Sequence, residues 1–204
     1  MTIVDSINET LKGYVLKGGE AVTEQKLSIA KEQQKTKPEI ETVFNKFLNG
    51  ERLKNALDFI AYLREIKMPP RWYAANAWKI NFKGKFFLSI RINGGNTILP
   101  IHYGLEHGSW HIGHWGQGDF KLPNDLSGEF EDLISYEKFK EFIWANVHEC
   151  KNCPGCKSGK QRTFFGKSFE FACNLRIENP NAESIECAKK LLEYKKKALQ
   201  KPSK

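Results

Sequence analysis

The chain contains no H-E-x-x-H, no G-x-G-x-x-G and no G-x-S-x-G. That removes the common signatures of zinc peptidases, dinucleotide-binding folds and hydrolase nucleophile elbows. The nearest approach to a phosphate loop, Gly155-Cys156-Lys157-Ser158-Gly159-Lys160-Gln161, is one residue short between its glycines and ends in Gln. No stretch approaches the roughly 18 consecutive apolar residues of a membrane helix. The opening residues, Met1 to Ser6, lack a basic patch followed by an apolar run, so no secretory leader is expected and the chain reads as cytoplasmic. Disulfides are rare in that compartment, so the five cysteines, an odd number, read as thiols or metal ligands. No internal repeat is visible.

What is present can build a core: 204 residues, 40% of them hydrophobic, with 14 Phe, 6 Tyr and 5 Trp. Global disorder is therefore excluded as an expectation. The net charge of +8 lies wholly in residues 151–204, which hold 13 Lys/Arg against 5 Asp/Glu. Part of that excess, Lys151, Lys157, Lys160, Arg162 and Lys167, surrounds a cysteine cluster and would balance the negative charge of a metal–thiolate core. This weakens the step from a basic chain to nucleic-acid binding.

The cluster is Cys150, Cys153, Cys156 and Cys173, spaced C-x2-C-x2-C-x16-C. Two intervening residues let a tight turn aim successive thiolates at one ion, while backbone N–H groups bond the sulfurs. The spacing favours zinc. An iron–sulfur cluster is the alternative, although a ferredoxin run would place its fourth cysteine after three residues and follow it with proline. Four thiolates make a closed, structural site, because catalytic zinc keeps one position open. His148 could replace Cys150 as a ligand, and Cys187 fits a helix core.

Periodicity divides the chain into a polar N-terminal arm (1–37), an α+β domain (38–147) and a Cys-rich segment with a terminal helix (148–204). Pro38 suits a helix first turn. Ile40, Phe44 and Phe47, then Leu53, Leu57 and Ile60, predict two successive helices, with Asn49-Gly50 between them and Met68-Pro69-Pro70 at the end. Ala77–Phe82 and Phe86–Ile92 around Lys83-Gly84-Lys85 predict a hairpin. Thr97–Tyr103 reads as a third strand, at an edge because of Pro100. Residues 104–128 read as a long loop with a short strand. Ser135 is expected to cap a helix from Tyr136 to about Val147. Thr163–Phe171 reads as a hairpin returning Cys173 to the other cysteines, and Asn179-Pro180-Asn181 opens the last helix.

His102, His107, His111 and His114 gather near Trp110 and Trp115. A helical turn at His111-x2-His114, completed by Glu106, would make an open metal site and a metal-dependent hydrolase. The bland reading is a Gly/aromatic loop with carbonyl-bonded histidines. Trp72, Trp78, Trp110, His111, His114 and Trp115 are also candidates to line a pocket for a small molecule, although tryptophans more often fill cores. The Lys189-Lys190 and Lys195-Lys196-Lys197 tail reads as a solvated helix face, with nucleic-acid contact a lesser alternative.

The run Leu63–Trp72, with Met68-Pro69-Pro70-Arg71-Trp72, followed by Asn76–Lys85, resembles small bacterial domains of the YdhG-like kind. The tail from Cys150 through Gly166-Lys167, Phe169, Cys173 and Asn179-Pro180 resembles a cysteine-bearing extension on some bacterial proteins. The resemblance implies an α+β domain with an antiparallel sheet and supplies no catalytic residues. The expected function is a non-enzymatic module with a structural zinc site that recognises a small molecule or protein partner.

Overall fold

A computed structural model of the chain describes residues 29–93, 108–113, 126–130, 133–149 and 160–200. In order these form α1 (29–36), α2 (Ile40–Phe47), α3 (Gly50–Glu65), β1 (Arg71–Ala74), β2 (Ala77–Phe82), β3 (Lys85–Asn93) and β4 (Ser109–Gly113). A 3-10 turn (Ser127–Glu129), α4 (Leu133–Ala145), β5 (Val147–Glu149), β6 (Lys160–Phe164), β7 (Lys167–Glu178) and α5 (Ala182–Gln200) follow. The seven strands make one antiparallel sheet in the order β1-β2-β3-β4-β7-β5, with β6 also paired to β7. The α+β class expected from the periodicity is the one observed.

One face of the sheet carries the core. Trp78, Ile90, Ile112 and Ile177 pair across four strands and are all buried, as are the paired Ile92 and Trp110. Phe44 of α2 inserts against both indoles, its ring 6.3 Å from Trp78 and 5.6 Å from Trp110. Ala56, Phe59, Ile60 and Leu63 of α3 join the same cluster, as do Ile185, Ala188, Leu191 and Leu192 of α5. Asn181 caps α5, its side-chain oxygen accepting from the Ser184 N–H at 2.8 Å.

Two hairpins close with two-residue loops in which both residues have positive φ, Lys83-Gly84 and Phe165-Gly166. Such turns match the twist of paired strands. A buried aromatic at positive φ is unusual, and here its surroundings explain it. Phe165 packs edge-on against Tyr136 (6.3 Å) and Phe139 (6.1 Å) of α4, so the β6–β7 hairpin tip is anchored in the core.

The register slips between Ile80 and Asn81, whose partners are Leu88 and Phe86, leaving Phe87 without an opposite residue. Lys195 of α5, itself buried, donates to the Phe87 carbonyl at 2.6 Å and sits 4.4 Å from the ring centre. The bulge thus brings a helix lysine onto the sheet.

Several details differ from expectation. Gly50 opens α3 rather than ending α2, and Ser135 lies inside α4, which starts at Leu133 and ends at Ala145. β1 and β5 are additional strands. The strand within 104–128 is β4, central in the sheet and buried at all five positions. Of the polar arm, 29–36 is helical and docked: buried Gln33 donates to Asn76 Oδ1 (2.7 Å) and accepts from the Asn76 N–H (2.7 Å) and Trp72 Nε1 (3.4 Å). The expected strand at 97–103 lies outside the described residues.

Candidate functional site

Directly paired residues lie on the same face of a sheet, and neighbours along a strand lie on opposite faces. The registers therefore define what the sheet carries on the face opposite the described helices. One row runs Lys79, Ser89, Gly113, Arg176, and the next runs Ala77, Arg91, His111, Glu178. Beside them His148 pairs with Asn174, and Asn93 with Ser109. The contrast with the opposite face is complete: there the same strands present Trp, Ile and Leu.

Arg91 projects from β3 and donates from Nη2 to the Tyr73 hydroxyl at 2.6 Å, its guanidinium lying 5.7 Å from that ring's centre. Its Nε is buried and has no acceptor among the described residues. Arg176 on β7 is 7% exposed, and its Nε lies 3.0 Å from Glu178 Oε1. His111 is 8% exposed. A methyl group built on Gly113 would lie 3.5 Å from His111 Cδ2, so the imidazole leans over the bare glycine backbone. Ser89 and Ser109 are fully buried. Burial holds the His148 pKa below its ordinary value and the Arg176 charge lowers it further, against an opposing pull from Glu178. That electrostatic coupling places the His148 imidazole in the same field as the Arg176–Glu178 pair.

The residues singled out from sequence divide between the two faces. Trp78 and Trp110 are buried to 1% and 0% on the helix side, packed on Phe44, and Trp78 Nε1 donates to the Pro38 carbonyl at 3.0 Å. Trp72 is half-buried and bonds Gln33. Of the set, His111 is on the polar face. His114 and Trp115 lie outside the described residues, with His102, Glu106 and His107. The helical turn considered for His111-x2-His114 is absent at His111, which belongs to a strand. Arg91, Arg176, Tyr73 and Glu178 were not anticipated. The signal for Arg91 was available, because Ser89-Ile90-Arg91-Ile92 alternates and sets an arginine on the face opposite two isoleucines.

The second feature concerns the cysteines. Cys173 lies in β7, and Cys150, Cys153 and Cys156 lie outside the described residues. Among the described residues no group of three or more His, Cys, Asp or Glu converges as metal ligands. The flanking strands are informative. Ala172, immediately before Cys173, pairs with Glu149 at the end of β5 and also with Lys160 at the start of β6. The residue before Cys150 and the first strand residue after the loop cysteines are therefore both held against the same point of β7.

On the helix side, a groove of about 550 Å³ is lined by residues that include Tyr62, Phe130, Phe139 and Cys187. Two of its three lysines are engaged locally: Lys189 pairs with Asp58 and Glu186, both at 2.8 Å, and Lys190 lies 4.6 Å from the centre of the Phe130 ring. Burial raises the Cys187 thiol pKa, and neighbouring Glu183 adds to the effect, so this thiol is not activated. No described helix is long and apolar enough to cross a membrane. Comparison with known protein families, with curated proteins and with solved structures finds no match to this chain.

Proposed function

We propose that the chain is a zinc-stapled binding module. In this reading Cys150, Cys153, Cys156 and Cys173 hold one zinc ion, and the domain recognises a small molecule or a protein partner. The observation that carries the metal half is the double pairing of Ala172. With strand neighbours about 4.8 Å apart, both ends of the cysteine loop start within one strand spacing of the residue beside Cys173. Cys150 follows Glu149 directly, and Cys156 precedes Lys160 by four positions. A loop fixed at both ends beside the fourth cysteine loses little further entropy when its thiolates gather on one ion.

Phe165 anchors the tip of the β6–β7 hairpin in the aromatic cluster. At its other end the hairpin meets the cysteine loop, and a closed thiolate site would clamp β5, β6 and β7 together there. β7 is also the strand that delivers Arg176 to the polar face. The four-thiolate set leaves no open coordination position, so the zinc is assigned no catalytic role.

Elemental analysis and an optical spectrum of protein purified under reducing conditions test this. About one zinc per chain, colourless and lost in Cys153→Ser, is expected, together with faster amide exchange in β6 and the first half of β7 of the variant. Absence of stoichiometric metal would refute the site. Iron with visible charge-transfer bands would replace zinc by an iron–sulfur cluster.

A further inference from the structure

We propose that α1 is a releasable strap, latched to the sheet by the Gln33 side chain and joined to α2 by a hinge, Lys37-Pro38, that is loaded toward extension. The strap swings away while the rest of the domain stays folded. This device requires neither the metal nor a bound ligand.

The latch is one residue deep. Of the eight residues of α1, Gln33 is buried, Ile29 and Ala30 are half-buried and the other five are exposed. Among the described residues, the hydrogen bonds that join α1 to the sheet all run through the Gln33 side chain. Its Nε2 donates to Asn76 Oδ1 at 2.7 Å, and its Oε1 accepts from the Asn76 N–H at 2.7 Å and from Trp72 Nε1 at 3.4 Å. Asn76 is 1% exposed, and β1, which carries Trp72, is an edge strand. A helix this short does not hold together alone in water. A contact with so little apolar burial belongs to the low-stability end of a fold.

The hinge carries the strain. Lys37 closes the helix with its N–H on the Gln33 carbonyl at 2.8 Å and holds φ at 44°, the left-handed region that favours glycine. It also precedes Pro38, and a residue before proline favours extended backbone. The closed strap therefore keeps Lys37 in a conformation that its own side chain and its neighbour both oppose, and extension relieves both. Beyond the hinge the chain is fixed at once. The Pro38 carbonyl accepts from Trp78 Nε1 at 3.0 Å, Glu39 pairs with Arg64 at 2.9 Å, and Ile40 is buried in the core. Motion is thereby confined to the residues up to Lys37. Release uncovers Trp72 and Asn76, whose two N–H donors and carboxamide oxygen complement one primary amide, so the strap recloses in the same position.

The test is native-state amide hydrogen exchange of the full chain, followed by NMR at a series of low urea concentrations. The Asn76 and Lys37 amides both bond to Gln33. They should exchange about a hundredfold faster than the amides of β3 and β4, with almost no urea dependence because little surface opens. Equal protection of the two is the mark of one concerted release, since fraying of the last helical turn would expose Lys37 but not Asn76. Gln33→Ala should speed the Lys37 amide about tenfold and leave β3 and β4 unchanged, which shows that the variant is folded. Lys37→Gly, which takes the left-handed conformation without strain, should slow the Asn76 amide severalfold. The proposal is overturned if the two amides exchange with the rate and urea dependence of β3 and β4, or if their protection differs. It is equally overturned if Gln33→Ala moves Asn76 alone, or if Lys37→Gly leaves Asn76 exchange unchanged or faster.

Discussion

Lys195 offers a direct measure of what the buried architecture costs. It is 4% exposed, on the inner side of α5, and burial pushes its pKa from the ordinary 10.5 down to about 8. At about 1.36 kcal/mol per pH unit, holding this lysine charged in the fold costs on the order of 3 kcal/mol relative to the unfolded chain. The sign follows from proton counting. Between pH 8 and 10.5 the unfolded chain holds more protons at this site than the folded one, so stability rises with pH across that window. Below pH 8 both states are charged and the full cost applies.

Replacing Lys195 with Met keeps the length and removes the titration. It also removes the donor to the Phe87 carbonyl at the bulge, a loss that does not depend on pH. The informative quantity is therefore how the difference in unfolding free energy between the two proteins changes with pH. From pH 7 to 9.5 the parent should gain about 2 kcal/mol relative to Lys195→Met. Other groups move too. Burial raises the Tyr194 pKa to about 12 and the Tyr62 pKa further still, so both tyrosines withdraw stability as pH rises beyond 10. They act equally in both proteins and cancel in the difference. Urea unfolding at the two pH values, with matched m-values, is the assay. Parallel pH curves, differing by a constant, would refute the assignment of Lys195 as a buried, depressed base.

Phe44→Ala should cost about 3–5 kcal/mol in urea unfolding, because its fully buried ring supports both Trp78 and Trp110; a loss under 1 kcal/mol would mean α2 is not essential to the core. Gln33→Leu leaves the buried Asn76 N–H without its acceptor and should cost about 1–3 kcal/mol, accompanied by a change in Trp72 fluorescence. An unchanged spectrum and midpoint would show that α1 is not docked through Gln33.

How much of this could be read from the chain depends on whether each feature is local. The helices α2 and α3 and the two hairpins were legible because their apolar periods and turn residues lie within a dozen positions. β4 was not legible as a central strand. Ser109-Trp110-His111-Ile112-Gly113 is buried at all five positions, polar and apolar alike, so hydropathy does not announce its place. β1, at four residues, is too short to show a period. The cysteines stood out because three ligands fall within seven residues. The polar face did not, because Ala77, Arg91, His111 and Glu178 meet only through pairing between distant strands.

That non-locality explains why β4 governs the face while contributing no charge of its own at neutral pH beyond an imidazole. Its alternation sends Trp110 and Ile112 to the core, and Ser109, His111 and Gly113 to the other side. A slip of one residue would exchange the two sets. It would drive an indole and an isoleucine into the space beside Arg91 and Arg176, and bury an imidazole against Phe44. The apolar half of the strand therefore fixes the polar half: the burial of Trp110 against Phe44 holds His111 opposite Arg91. On this argument the core and the polar face are two readings of one register, and a mutation that loosens Trp110 should disturb the Arg91–His111 pairing before it unfolds the sheet.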